Sequence, residues 1–274
     1  MVLVAAIFHA SWNALLKAAE NPLALATRAV SWGALACLPP ALAAWLVLGR
    51  PGLPPAGWLL VVISAGLELG YFIALSTAYQ RGELSVVYPI ARGTAPLLAV
   101  AIGLLVLRER LSPVALIGVL LLLAGIWAVR RPTNAGAALV PALLTGVLIA
   151  GYSSVDRVGV RLGPPWLYGE ALWLIGGAMM LLYTRVAGVR HATLRVEPAM
   201  SIGIGVLITL TYFMILYALS VAPLAIVAPL RESAIVLVTA WGIWRLRERE
   251  GAWLRLGGAL AIVAAIGLLT VSQG

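Results

Sequence analysis

Apolar residues do not alternate with polar ones along this chain; they run on in long stretches separated by short polar groups. Ten such stretches are predicted as helices: Met1–Leu16, Val30–Leu48, Trp58–Ala78, Leu84–Val106, Pro113–Val129, Ala137–Val155, Leu167–Tyr183, Ala199–Leu219, Ala222–Trp244 and Gly251–Val271. About twenty apolar residues in a helix cross the ~30 Å hydrocarbon layer of a bilayer. Continuity of the runs excludes the alternating strands of an outer-membrane barrel. The first run has no basic front end and passes into polar helix rather than a small-residue cleavage site, so it reads as a helix and not as a removable leader. The pattern predicts an all-α integral membrane protein with ten transmembrane helices.

The polar punctuation repeats. Leu107-Arg108-Glu109-Arg110 returns as Leu246-Arg247-Glu248-Arg249, 139 residues later, each followed by glycine at the matching place, Gly118 and Gly257. Tyr71-Phe72 answers Tyr212-Phe213 at a separation of 141, and Pro89 answers Pro229 at 140. Four ordered matches on nearly one separation indicate a duplication. Loops are short, the longest being Gly49–Gly57, Arg130–Gly136 and Thr184–Pro198; the second, opening with Arg130-Arg131-Pro132-Thr133-Asn134, is the natural seam. Residues 1–130 are therefore expected to form one five-helix repeat and residues 136–274 the other. Five is odd, so tandem copies enter the membrane in opposite orientations, related by a pseudo-twofold axis in its plane and arranged around a central cavity.

Composition agrees. Apolar residues make up 62% and charged residues 11% of the chain, against about 45–50% and about 25% in soluble domains. The formal net charge of +9 does not point to nucleic acid, because Lys and Arg stand singly or in pairs at segment ends, where headgroup contact accounts for them. The expected partners are the lipid bilayer and a small-molecule substrate, with a monomer as the working unit. Cys37 stands alone in an apolar run, His9 and His191 are far apart, and no HExxH, CxxC, Walker or GxSxG pattern occurs. No metal, cofactor or catalytic residue is expected. Lys and Arg are more numerous on the side of the first connection, which by the positive-inside bias puts both termini outside the cytoplasm.

Ionisable side chains deep in an apolar run are costly and mark function or internal pairing. Glu68 lies mid-run between Gly66 and Gly70, a small-xxx-small spacing that also suits close helix packing. Arg92 follows Pro89, and Arg231 and Glu232 follow Pro229; aligning the prolines sets Glu232 opposite Arg92. These three are read either as substrate groups at loosened helices or as an ion pair locking helices together. Asp156, beside Arg157, and Glu170 lie nearer segment ends and are read as solvated or interfacial. His9, Trp12, Asn13 and Leu16 share one helical face, as do Tyr152, Val155 and Asp156 in the sixth run, so that His9 corresponds to Tyr152 and Asn13 to Asp156. Trp45, Trp58, Trp127, Trp166, Trp244 and Trp253 at segment ends suit interfacial anchoring. Tyr71, Phe72, Tyr88, Tyr152, Trp173, Tyr212 and Tyr217 lie deeper. Asn13, Tyr88, Arg92, Tyr152, Glu232, Trp12, Tyr71, Trp173 and Tyr212 are the candidate substrate residues, with Glu232 and then Glu68 as candidates for ion coupling.

Several segments resemble one family. His9-Ala10-Ser11-Trp12-Asn13-Ala14-Leu15-Leu16-Lys17 resembles the opening helix of EamA-type members of the drug/metabolite transporter superfamily. Tyr88-Pro89-Ile90-Ala91-Arg92-Gly93-Thr94-Ala95-Pro96 resembles their fourth helix, and Pro229-Leu230-Arg231-Glu232-Ser233 their ninth. The two Leu-Arg-Glu-Arg elements resemble the joins before the fifth and tenth. The resemblance implies ten helices in two inverted repeats, export of small organic metabolites, often amino acids, and an expected place in a bacterial inner membrane. It also implies cytoplasmic termini, against the charge count. Carriers of larger anionic metabolites, such as nucleotide sugars or sugar phosphates, are the alternative within transport, and a membrane-embedded enzyme or lipid-handling protein the alternative outside it.

Overall fold

The computed structural model describes residues 1–17, 19–82, 84–129, 136–189, 198–233 and 252–271; side chains at 10, 14, 17, 84–86, 88, 89, 129 and 252–256 fall outside this description. The described residues form α-helices, one 3₁₀ turn and short connections, with no strand among them. The helices are α1 (Val2–Lys17), α2 (Pro22–Val47), α3 (Pro55–Arg81), α4 (Leu84–Leu105), α5 (Pro113–Val129), α6 (Leu139–Gly159), α7 (Pro165–Val186), α8 (Pro198–Val221), α9 (Leu224–Leu230) and α10 (Ala252–Val271). Five of the helical spans are long and apolar enough to cross a membrane: Pro22–Val47, Pro55–Arg81, Gly136–Gly159, Pro165–Val186 and Pro198–Val221. Shorter apolar helices precede them (Val2–Asn13), separate them (Ile90–Leu105 and Pro113–Ala128) and follow them (Gly257–Thr270).

Local chemistry explains where helices start. Proline occupies the first helical turn of α2, α3 and α7, where its missing N–H removes no helical hydrogen bond. Asn21 caps α2 by accepting from the Ala24 N–H at 3.1 Å, and the Ser112 hydroxyl accepts from the Ala115 N–H at 3.1 Å at the start of α5. This cap begins α2 at Pro22, eight residues ahead of the apolar run that predicts it, and Arg28 is thereby inside the helix. The second correction concerns the ninth run. Helix α9 ends at Leu230, immediately after Pro229, and residues 231–233 form a turn. The rest of that run, Ala234–Trp244, and the second Leu-Arg-Glu-Arg element lie outside the described residues. At Pro89 the backbone of α4 stays helical, so no break occurs at the counterpart proline.

Both halves interleave. Helix α3 packs on α6 and α7, α1 and α2 on α8, α2 on α7, α4 on α6 and α9, and α5 along α10. The contact of α2 with α8 is tight: a Cβ on Gly205 would stand 2.0 Å from the Ala29 carbonyl oxygen, and one on Gly33 would stand 2.4 Å from the Gly205 oxygen. Glycine here lets two backbones touch. Along α5, a Cβ on Gly125 would stand 2.7 Å from the Gly258 oxygen of α10. Large apolar side chains such as Leu35, Leu46, Leu59, Val140 and Leu182 stay exposed on the outer surface. A soluble protein does not present that much apolar surface; lipid covers it here without cost.

Candidate functional site

A small space lies between the halves, lined by His9 and Trp12 of α1, Glu68, Tyr71 and Phe72 of α3, Tyr152 of α6, Trp173 of α7, and Ile208, Thr211 and Tyr212 of α8. Water-sized centres occupy about 20 Å³ of it, enough for one or two waters and far less than a metabolite needs. The space is therefore too small for such a solute in this conformation. Its walls are a chain of edge-to-face and tilted rings. His9 meets Trp12 at 4.5 Å between centroids, Trp12 meets Phe72 at 6.5 Å, and Phe72 meets Tyr71 at 4.9 Å. Tyr152 stands between Tyr71 (5.7 Å) and its counterpart Tyr212 (5.9 Å), and Trp173 meets Tyr212 at 5.4 Å. Such pairs hold rings in fixed orientations as well as burying area.

Polar groups of this core divide into spent and unspent. Arg92 Nη1 donates to Glu232 Oε1 at 3.0 Å, both side chains being 3% exposed. Arg231 Nε approaches the same oxygen at 4.0 Å, an ion-pair distance and not a hydrogen bond. Asp156 is fully buried; one carboxylate oxygen accepts from Tyr168 at 2.8 Å and the other from Tyr212. The Asn13 amide donates to the His9 carbonyl at 2.9 Å, and its oxygen accepts from Tyr79 at 3.3 Å. By contrast His9 Nε2, Trp12 Nε1, Tyr71 Oη and Trp173 Nε1 are buried with no hydrogen-bond partner among the described residues.

Of the nine substrate candidates, Trp12, Tyr71, Tyr152, Trp173 and Tyr212 line the cavity, as does the coupling candidate Glu68. Asn13, Arg92 and Glu232 are buried beside it but do not line it in this conformation. The side chain of Tyr88 is outside the described residues. Asp156 and Glu170 correct the interfacial reading: they are 0% and 3% exposed. Arg157 does not pair with Asp156; its Nε donates to Glu109 at 3.0 Å. Tyr217 is also corrected, being 55% exposed on the outer face of α8. Ile208 and Thr211 are lining residues that sequence reasoning missed. Ile208 lies one turn from both Thr211 and Tyr212 on α8, and that i, i+3, i+4 spacing is the signal that could have found them.

A solved crystal structure, described only as that of a protein, superposes with a TM-score of 0.73 over 99% of this chain and 96% of its own, at 19% identity; the likeness is one of fold. No curated protein matches the chain. The sequence model of the EamA-like transporter family matches residues 1–131. The match spans α1 to α5, with Trp12, Asn13, Glu68, Tyr71 and Arg92 among its residues, and two of those helices, α2 and α3, are long and apolar enough to cross a membrane. Residues 1–131 of this membrane protein are thus similar to the EamA-like transporter family.

Proposed function

We propose that this protein is a secondary transporter that exports small organic metabolites, amino acids first among them, by alternating access between two inverted five-helix halves. The observation that carries the reading is the cavity itself. It is aromatic, buried, equipped with unspent polar groups, and walled by α1 and α3 from one half and α6, α7 and α8 from the other. Pockets for small solutes are mostly apolar with a few orienting polar groups.

The packing pattern supports the inverted repeat. Exchanging α1–α5 for α6–α10 turns the α3–α6 contact into α8–α1 and the α2–α8 contact into α7–α3, and all four occur. The α2–α7, α4–α9 and α5–α10 contacts map onto themselves. Arg92 and Glu232, 140 residues apart, are repeat counterparts by the proline alignment and touch each other, as counterparts do when they flank a twofold axis. The expected setting is a bacterial inner membrane, with one chain sufficient. The family match favours transport over an enzyme or lipid-handling reading. Anionic carriage is not favoured: both arginines near the cavity face Glu232, and the carboxylate of Glu68 lines the cavity instead.

Reconstituted protein screened for uptake of the twenty amino acids into vesicles tests this reading. Saturable uptake above protein-free vesicles for at least one amino acid is expected, and background uptake for all would remove the amino-acid reading. Coupling is proposed to use a proton on Glu232, or failing that on Glu68. Flux of the wild type should then depend on an imposed pH gradient and flux of Glu232→Gln should not; gradient-independent wild-type flux leaves exchange or facilitation as the account.

A further inference from the structure

We propose, resting on the transporter reading above, that the Glu68 end of the cavity is an ammonium subsite. The carried solute places a protonated amino group against the Glu68 carboxylate and its apolar body against the surrounding rings.

Three observations lead there. Charge is the first. Glu68 is 5% exposed and lines the cavity, whereas Arg92 and Arg231 lie against Glu232. A buried carboxylate needs donors or a cation. Tyr212 lines the cavity together with Glu68, but a tyrosine has a single O–H proton, and this one donates to Asp156. An ammonium group brings three N–H donors and a full charge to that carboxylate.

Ring geometry is the second. Tyr71, Tyr152, Tyr212 and Trp173 stand edge to face in a connected series along the same wall. Aromatic faces attract cations, and a desolvated site strengthens the attraction. A wall of rings with one carboxylate therefore selects for an amine and against a free anion.

Third, the unpartnered donors point to the other end of the molecule. Trp12 Nε1, Trp173 Nε1 and Tyr71 Oη are buried, face the cavity and have no partner among the described residues. Neutral N–H and O–H donors can hold an acceptor group, such as the carboxylate of an amino acid, without repelling the ammonium group. The cavity of about 20 Å³ must widen to admit such a solute, so the subsite forms fully in an open conformation.

Binding of four matched probes to the purified protein in nanodiscs, measured by calorimetry at pH 7, tests the proposal. Phenethylamine and phenylalanine carry an ammonium group; N-acetylphenylalanine and 3-phenylpropionate do not. The first two should bind at least about tenfold more tightly than the last two, and Glu68→Gln should abolish that difference. Equal or tighter binding of the N-acetylated or propionate probe to the wild type overturns the subsite, as does failure of both amines to bind. Counterflow in vesicles separates this failure from that of the broader reading. Carriage of 3-phenylpropionate without phenylalanine overturns the ammonium subsite and leaves a transporter, whereas carriage of neither, with no binding of any probe, overturns both.

Discussion

Removing one member of the Arg92–Glu232 pair takes from the other its 3.0 Å partner in a site where both side chains are 3% exposed. Breaking a buried pair from one side typically costs about 3–5 kcal/mol, while replacing both members by uncharged groups is often neutral. Arg92→Ala is therefore expected to lower the melting temperature and folded yield in detergent, and Arg92→Met, Arg231→Met and Glu232→Leu together, which remove all three charges, to recover most of both. If these charges serve transport as well, flux per folded molecule stays low in the recovered triple variant; normal flux would make them purely structural. The sequence placed Arg92 and Glu232 opposite each other through their prolines, because both prolines precede the charges by three residues. It could not place Asp156. A carboxylate near a predicted segment end, with arginine next to it, looks interfacial; what buries it is the pair of tyrosines, Tyr168 and Tyr212, arriving from two other helices.

At the scale of helices, the contact of α2 with α8 offers a clean comparison along one element. A methyl group on Gly205 would collide with the backbone of α2, whereas one on Gly203 meets nothing within 4 Å. Overpacking of this kind costs about 1–3 kcal/mol or more, since neither backbone can yield. Gly205→Ala should lose thermal stability and Gly203→Ala should not; equal behaviour would mean that the two helices do not approach as described. The first Leu-Arg-Glu-Arg element has a second structural task. Arg108 turns the chain with φ +53°, and Glu109 then accepts from the Leu224 and Ala225 N–H groups at 2.7 and 3.0 Å and from Arg157 at 3.0 Å. One carboxylate thus ties the α4–α5 join to the start of α9 and the end of α6. Hydrogen bonds to charged groups contribute about 1.5–3 kcal/mol, so Glu109→Ala should lower the melting temperature measurably, with Arg157→Ala adding little more because the two share the contact. The start of α5 at Pro113 was legible in sequence, whereas Asn21 with Pro22 and Pro55 begin α2 and α3 ahead of their apolar runs; the early end of α9 was not legible, because Pro229 and Pro89 look alike in sequence and only α9 stops there.

For the whole molecule, the runs of apolar residues identified a helical membrane protein because lipid imposes the same demand on every span. The aromatic wall was legible only in part. Tyr71 and Tyr212 stood out as repeat counterparts, but Ile208 and Thr211 sit in a run that is apolar nearly all round, where no periodicity separates the lipid side from the cavity side. The central claim is that a closed central cavity opens alternately to the two faces of the membrane. Accessibility of a single cysteine tests it without knowledge of the solute. In a Cys37→Ser background, Thr211→Cys places a thiol in the cavity, and Leu182→Cys places one on the lipid-facing surface, where Leu182 is 65% exposed. Membrane-impermeant maleimide is then applied separately to each face of oriented vesicles. The account predicts slow labelling at position 211 from both faces and none at position 182 from either. Labelling of position 211 from one face alone, or from neither, would contradict alternating access through this cavity.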